Sequence, residues 1–282
     1  MISRKRLVTN ADDFGFTPDV NRGIVAAHRG GILTAATLMA NGDAFDDAVR
    51  CARETPSLDV GCHLVLISGR SLLPPYKPLP ASAPELLLAL AARRIRVYDE
   101  VAAQVRKIVA SGLRPTHLDS HKHTHLLPPV LEAVARAAEE FDIRWVRRPF
   151  DIPLTTVAGG VPWLRRATSG SLRVLRGRFQ RGLARHGCRT TDSFAGFQLT
   201  GRFRTAELAQ LIRELPDGVT EFMCHPGYSG DLRHARTRLK ESRERELEAL
   251  LAPETRQALS EAGVHLVNYR DLRTGWDPPA SA

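Results

Sequence analysis

The densest chemistry in this chain is a run in which every second residue can bind a proton or an ion: His117, Asp119, His121, His123 and His125. In an extended segment, alternate residues share a face, so all five would point one way. Packing gives no reason for four imidazoles on one side. Neutral imidazole is a good ligand for zinc and similar ions, so the pattern predicts a metal site. The plain alternative is a hydrogen-bonded ladder or an adventitious surface site. A second constellation, Thr9-Asn10-Ala11-Asp12-Asp13-Phe14-Gly15, directly follows a strand-like run. Adjacent strand residues face opposite ways, so Asp12 and Asp13 serve one site only if the chain turns there, as Gly15 would permit. Two such carboxylates repel unless a cation or an arginine lies between them. A helix N-cap plus a solvated acid would explain the pair without chemistry.

Three further segments carry isolated candidates. In Gly61-Cys62-His63-Leu64-Val65-Leu66, a histidine sits inside an apolar strand. Burying it unpaired would cost free energy, so it is hydrogen-bonded, metal-bound or facing a polar cavity. In Phe222-Met223-Cys224-His225-Pro226-Gly227-Tyr228, His225 closes an apolar strand just before a turn. In Trp145-Val146-Arg147-Arg148-Pro149, an arginine at a strand end could clamp a carboxylate through two hydrogen bonds.

The elements that must position these groups alternate regularly. Strands are expected at 6–10, 33–39, 59–66, 116–120, 144–146, 219–224 and 264–268. Helices are expected at 18–29, 44–53, 98–111, 129–141, 205–215 and 239–262. Strands alternating with helices imply a parallel sheet, and about seven such units suit a closed or nearly closed barrel better than an open sheet. Active sites of such barrels lie at the carboxyl ends of the strands, where the candidate residues fall. A proline-rich stretch at 69–84 reads as a loop over the barrel mouth.

The chain has 282 residues, 43% hydrophobic and 25% charged, enough for one sizeable core in a single domain spanning 1–282. No run of 18 or more apolar residues predicts a membrane span, and the basic N-terminus shows no signal-peptide h-region. Four scattered cysteines fit a reduced, cytoplasmic protein better than a disulfide framework. The formal charge of +9 is concentrated in an insert at 153–192, which holds eight arginines and no acid before Asp192. Within it Leu172, Leu175, Phe179 and Leu183 make one helical stripe. Such a helix can lie on an anionic membrane through 163–189, or it can cover the barrel or a partner subunit; covering is the favoured reading. No nucleic-acid motif accompanies the basic charge, so nucleic acid is not expected as a partner.

Taken in order, the Asn-Ala-Asp-Asp-Phe-Gly opening, the Gly-x-His-Leu-x-Leu strand, the Thr116–Ser120 run with His121, His123 and His125, and the Met-Cys-His-Pro strand resemble the YdjC family of carbohydrate deacetylases. The likeness runs from Leu7 to about Asp271. It implies an α/β fold, a distorted (β/α) barrel like that of the TIM-barrel-like polysaccharide deacetylases. It implies hydrolysis of the N-acetyl group of an amino sugar, as oligosaccharide or glycolipid. It further implies one divalent metal ion, Mg2+ or Zn2+, held by Asp13, His63 and His121, with Asp12 as catalytic base. By looser analogy with the polysaccharide deacetylases, His225 is the acid and Arg148 orients Asp12. His123, His125 and Asp119 are left as substrate contacts or as groups that orient the ligands. The insert resembles the hopanoid-biosynthesis (HpnK-type) branch, which leaves the substrate open, and Lys122 stands where some relatives have histidine. A homodimer is also left open. The same Asp/His/His set would suit a non-haem iron oxygenase, although those usually occupy all-β scaffolds. A non-catalytic sugar-binding barrel would be expected to lack a base such as Asp12.

Overall fold

The computed structural model describes residues 4–153, 170–171, 173–232, 235 and 237–274. The chain opens with β1 (Lys5–Phe14), α1 (Pro18–Gly30), β2 (Ala35–Leu38), α2 (Phe45–Glu54) and β3 (Asp59–Leu64). Next come α3 (Ala83–Ala91), α4 (Val97–Ala110), β4 (His117–Ser120), α5 (Pro128–Glu140) and β5 (Trp145–Val146). The second half carries α6 (Arg176–Ala184), β6 (Ser193–Ala195), α7 (Thr205–Arg213) and β7 (Gly218–Cys224). It ends with α8 (Glu241–Leu251), α9 (Pro253–Ala262), β8 (His265–Leu266) and α10 (Tyr269–Arg273).

Every strand pairing is parallel, and the order is β5-β4-β3-β2-β1-β7-β6, with β8 beside the start of β1. Parallel strands need crossovers, and the helices supply them while covering the sheet. The curled sheet is not closed by a continuous ladder. Two isolated bridges, Trp145–Arg189 and Asp151–Phe194, reach across the opening between its edges. The result is the expected distorted barrel, with apolar side chains such as Phe14, Leu38, Cys62 and Leu118 buried in its main core.

The differences from the sequence expectation have local causes. The seven expected strands all form. The additional strand, β6, is three residues long, too short to show a period. The single helix expected at 239–262 breaks into α8 and α9 at Ala252-Pro253, because proline cannot supply the N–H or tolerate the preceding turn. The loop expected at 69–84 forms a narrow excursion: Ser71 N–H donates to Lys77 O and Leu79 N–H to Gly69 O. The short helix α3 follows it, unforeseen because its leucines show no clean polar face. In the basic insert, residues 154–169 and 172 lie outside the described residues. Of the expected stripe, Phe179 and Leu183 are buried, with Phe179 against the Phe150 and His125 rings, whereas Leu175 is exposed. Through Phe179 and Leu183, α6 packs on the barrel, while Val174 and Leu175 just before it face outward. No described helix is long and apolar enough to cross a membrane.

One close approach fixes the loop after β7. A Cβ added at Gly23 of α1 would lie 2.4 Å from Gly227 Cα. Asp19 O also accepts a hydrogen bond from Tyr228 N–H. Two glycine backbones thus meet just beyond His225. Alanine favours a helix over glycine by about 1 kcal/mol, yet Gly23→Ala should destabilise the protein by about 1–3 kcal/mol through this overlap. Thermal unfolding reads this as a lowered Tm.

Candidate active site

Asp12 and Asp13 leave the end of β1 where its register with β2 shifts, between Ala11 and Phe14. Asp13 itself takes a left-handed backbone, φ 65°, which aspartate tolerates better than most side chains. Gly15, φ 92°, completes the turn. The irregularity breaks strand alternation and lets both carboxylates enter one site, as the paired aspartates required.

Three donors converge there. Asp13 Oδ1 lies 3.5 Å from His63 Nε2 and 3.3 Å from His121 Nδ1, and the two imidazole nitrogens are 3.3 Å apart. Asp13 Oδ1 is buried with no hydrogen-bond partner among the described residues. An orphaned carboxylate oxygen facing two ring nitrogens is what an ion-binding site looks like when only its protein groups are present. His63 is aimed from behind, with Nδ1 2.7 Å from Asp119 Oδ1. That partner turns Nε2 towards Asp13, the usual outer support of a ligating histidine. Burial opposes charge on His63, but Asp119 and Asp12 outweigh it and raise the imidazole to about 9. A cation bound at Nε2 would therefore displace a proton. The donor set fits a divalent ion.

Asp12 is gripped by Arg147. Its Nη1 and Nη2 donate to Asp12 Oδ2 and Oδ1 at 2.9 and 2.7 Å. The same guanidinium reaches Asp119 at 2.7 Å and Glu221 at 2.7 Å. Burial alone would raise the Asp12 pKa, but the Arg147 charge overcomes this and holds the carboxyl well below its usual range. Asp12 is thus ionised and fixed.

This geometry corrects the arginine expected from sequence. Arg148 does not reach Asp12; its Nη1 donates to the Asp192 carbonyl. The neighbour Arg147, whose N–H extends the β4 pairing by donating to Leu118 O, turns inward instead. Adjacent residues on an extended segment face opposite ways, and residue type could not show which arginine faces in.

The expectation of five coplanar groups is also corrected. The extended run stops at Ser120. His121–Leu126 forms a 3₁₀ turn, with Lys122 and His123 in left-handed backbone, φ 55° and 52°. His121 joins Asp13 and His63, while His123 lines the cleft against Phe197. Asp119 and His125 do not line the cleft. Asp119 supports His63, and His125 braces the turn between Ser120 Oγ, 2.5 Å from Nδ1, and the Arg147 carbonyl, 3.1 Å from Nε2. His117 is structural, with Nε2 3.0 Å from Asn10 Oδ1 and its ring stacked on Tyr269.

His225 stands opposite, with Nε2 3.9 Å from Asp12 Oδ2. Burial lowers its pKa to about 4, against the pull of Asp12 and Asp13. Its backbone N–H donates to Glu246 Oε2 at 2.6 Å, and the other oxygen of Glu246 accepts from Gly201 N–H at 2.7 Å. Arg243, one turn earlier on α8, places Nη2 2.5 Å from Asp13 Oδ2. Sequence reasoning missed Glu246 and Arg243. Both are buried on α8 beside Ser242, Leu247, Ala249 and Leu250, and in the sequence they are indistinguishable from the solvated charges of the same helix.

Asp12, Asp13, His121, His123, His225 and Arg243 line a cleft of about 1620 Å³, with His63 and Arg147 buried behind them; its walls include Phe16, Met39, Val65 and Leu79 and also Arg202, Arg204, Arg238 and Arg245. That volume exceeds the roughly 300–1,000 Å³ of an ordinary small-molecule site, so it has room for more than one sugar ring.

Reactive groups gathered at the carboxyl ends of parallel barrel strands define an enzyme of the barrel class. The chain belongs to the YdjC-like protein family, which matches it across residues 6–261. It is 34% identical to the carbohydrate deacetylase of Geobacillus stearothermophilus, over 94% of this chain and 97% of that protein. It is 34% identical to the human carbohydrate deacetylase, over 95% of this chain and 91% of that protein. A crystal structure from Enterococcus faecalis V583, assigned as a candidate cellobiose-phosphate cleavage protein, superposes with a TM-score of 0.75 at 25% identity. It covers 96% of this chain and 99% of that one.

Removing Arg147 would leave Asp12, Asp119 and Glu221 buried around an empty centre. Arg147→Met should therefore cost on the order of 3–5 kcal/mol at neutral pH, read by denaturant unfolding. An unchanged midpoint would show that the carboxylates find another counter-charge.

Proposed function

We propose that this chain is a carbohydrate N-deacetylase that hydrolyses the N-acetyl group of an amino sugar, in an oligosaccharide or glycolipid, and releases acetate. The observation that carries the reading is the triangle of Asp13, His63 and His121 donors beside the Arg147-bound Asp12, with Asp12, Asp13 and His121 opening onto a large cleft. The names of the relatives support the sugar and the reaction, and the cleft volume supports a substrate larger than one ring.

Asp13, His63 and His121 would hold one divalent ion. Two imidazoles in the set favour a zinc-like ion over Mg2+, which prefers oxygen ligands. Such an ion polarises an amide carbonyl and acidifies a water. Acidification matters here because Arg147, in holding Asp12 ionised, also makes it a weak base. Asp12 accepts the proton of the attacking water. Arg147 keeps the carboxylate aimed through both its oxygens. The departing nitrogen cannot leave as an anion and needs a proton, which His225 Nε2 delivers. Because burial keeps His225 neutral at rest, its proton must arrive during the reaction. The nearest donor is Asp12, once protonated, 3.9 Å away. His123, largely buried beside Phe197 but lining the cleft, would touch the sugar. Similarity of the insert to the hopanoid-biosynthesis branch supports a glycolipid among the substrates to be tested.

Asp12→Asn keeps the shape and the Arg147 neighbour but cannot take a proton. It should retain stoichiometric metal and lose at least about a hundredfold in acetate release from N-acetylated oligosaccharides. Full activity in this variant would remove Asp12 as the base. His63→Ala should instead lose the metal itself, read by metal analysis of the purified protein after dialysis. Retention of one tight ion per chain would move the metal site elsewhere.

A further inference from the structure

The helix α3 turns its apolar side outward. Its sequence from Ala83 to Ala91 contains one charged residue, Glu85, which is held at the helix start by Ser82 Oγ and the Ala81 N–H. Leu86 is fully buried and anchors the helix, while Leu90 packs against the core from the same side. The opposite face carries Pro84, Leu87, Leu88 and Ala91, all exposed and none polar, with Leu87 51% and Leu88 68% accessible. A surface helix ordinarily presents charge to water on that face. The chain then continues into Arg93, Arg94 and Arg96, all exposed. Arg96 pairs with Asp99, and neither Arg93 nor Arg94 has an acidic partner among the described residues.

We propose that α3 is a membrane-docking element whose partner is a lipid bilayer carrying anionic head groups. Leu87 and Leu88 enter the acyl boundary while Arg93 and Arg94 meet the head groups, the division of labour of interfacial helices. A second protein copy is the poorer occupant. Four outward side chains, one of them alanine, fall well short of the roughly 800 Å² per partner that a stable dimer buries. The position is also purposeful. Leu79 and Ala81, just before α3, line the cleft, and Leu79 packs with Met39, Val65 and Phe16, which line it too. Apolar surface therefore leads from the docking helix to the site floor, an arrangement suited to drawing an acetylated sugar on a lipid out of the bilayer. This last step rests on the deacetylase reading; the docking itself rests on α3 alone.

The experiment is co-sedimentation of the full chain with vesicles of phosphatidylcholine and phosphatidylglycerol, against phosphatidylcholine alone. The protein should sediment with the anionic vesicles and much less with the neutral ones. Leu87→Glu/Leu88→Glu should weaken this at least tenfold, while acetate release from a soluble acetylated oligosaccharide stays at the unmodified level. Arg93→Gln/Arg94→Gln, which leaves the apolar face intact, should also lower binding and serves if the leucine variant unfolds. Equal sedimentation of both variants, no sedimentation of the unmodified chain, or a dimer that dissociates in the leucine variant would each overturn the proposal. Absence of acetate release from every form would count against the deacetylase reading and leave the sedimentation result standing.

Discussion

A single buried guanidinium organises the interior of this barrel. Arg147 faces Asp12 from β1, Asp119 from β4 and Glu221 from β7, all within hydrogen-bonding distance. Three carboxylates cannot share a dry interior without a cation, and one arginine cannot neutralise them. With Asp13 there are four carboxyl groups, and Arg147 and Arg243 supply two fixed positive charges. Negative charge therefore remains in excess around Asp13, His63 and His121, three groups whose donor atoms lie close enough together to hold one ion. Against the cost of burial, the same carboxylates, Asp119 and Asp12 first, raise the His63 imidazole.

His63 stands on the regular strand β3, but the other reactive groups owe their positions to departures from regular structure. Asp12 and Asp13 share a site because β1 breaks register with β2. His121 reaches Asp13 because β4 stops at Ser120 and the chain coils into a left-handed kink. His225 is held by backbone contacts, with Glu246 on its N–H and Gly227 pressed against Gly23. Strain of this kind persists only where its surroundings compel it, and it concentrates at functional sites. The helix α8 is central to this: Arg243 steadies the Asp13 carboxylate and Glu246 steadies His225 across from it.

Much of this was legible in the sequence. Alternating strands and helices determined a parallel barrel, because a repeating β-α pattern admits few other arrangements, and the seven expected strands formed. Residue chemistry singled out Asp12, Asp13, His63, His121 and His225, since carboxylates and imidazoles at strand ends are costly unless used. Tertiary structure alone decided the rest. Which of Arg147 and Arg148 turns inward depends on strand phase, and a one-residue shift exchanges them. Whether five alternating groups share a face depends on where the strand ends, which a local pattern of histidines does not encode. Arg243 and Glu246 were invisible because the site receives them from a helix more than two hundred residues away from Asp12 along the chain, and only the folded packing brings those charges to the strand ends.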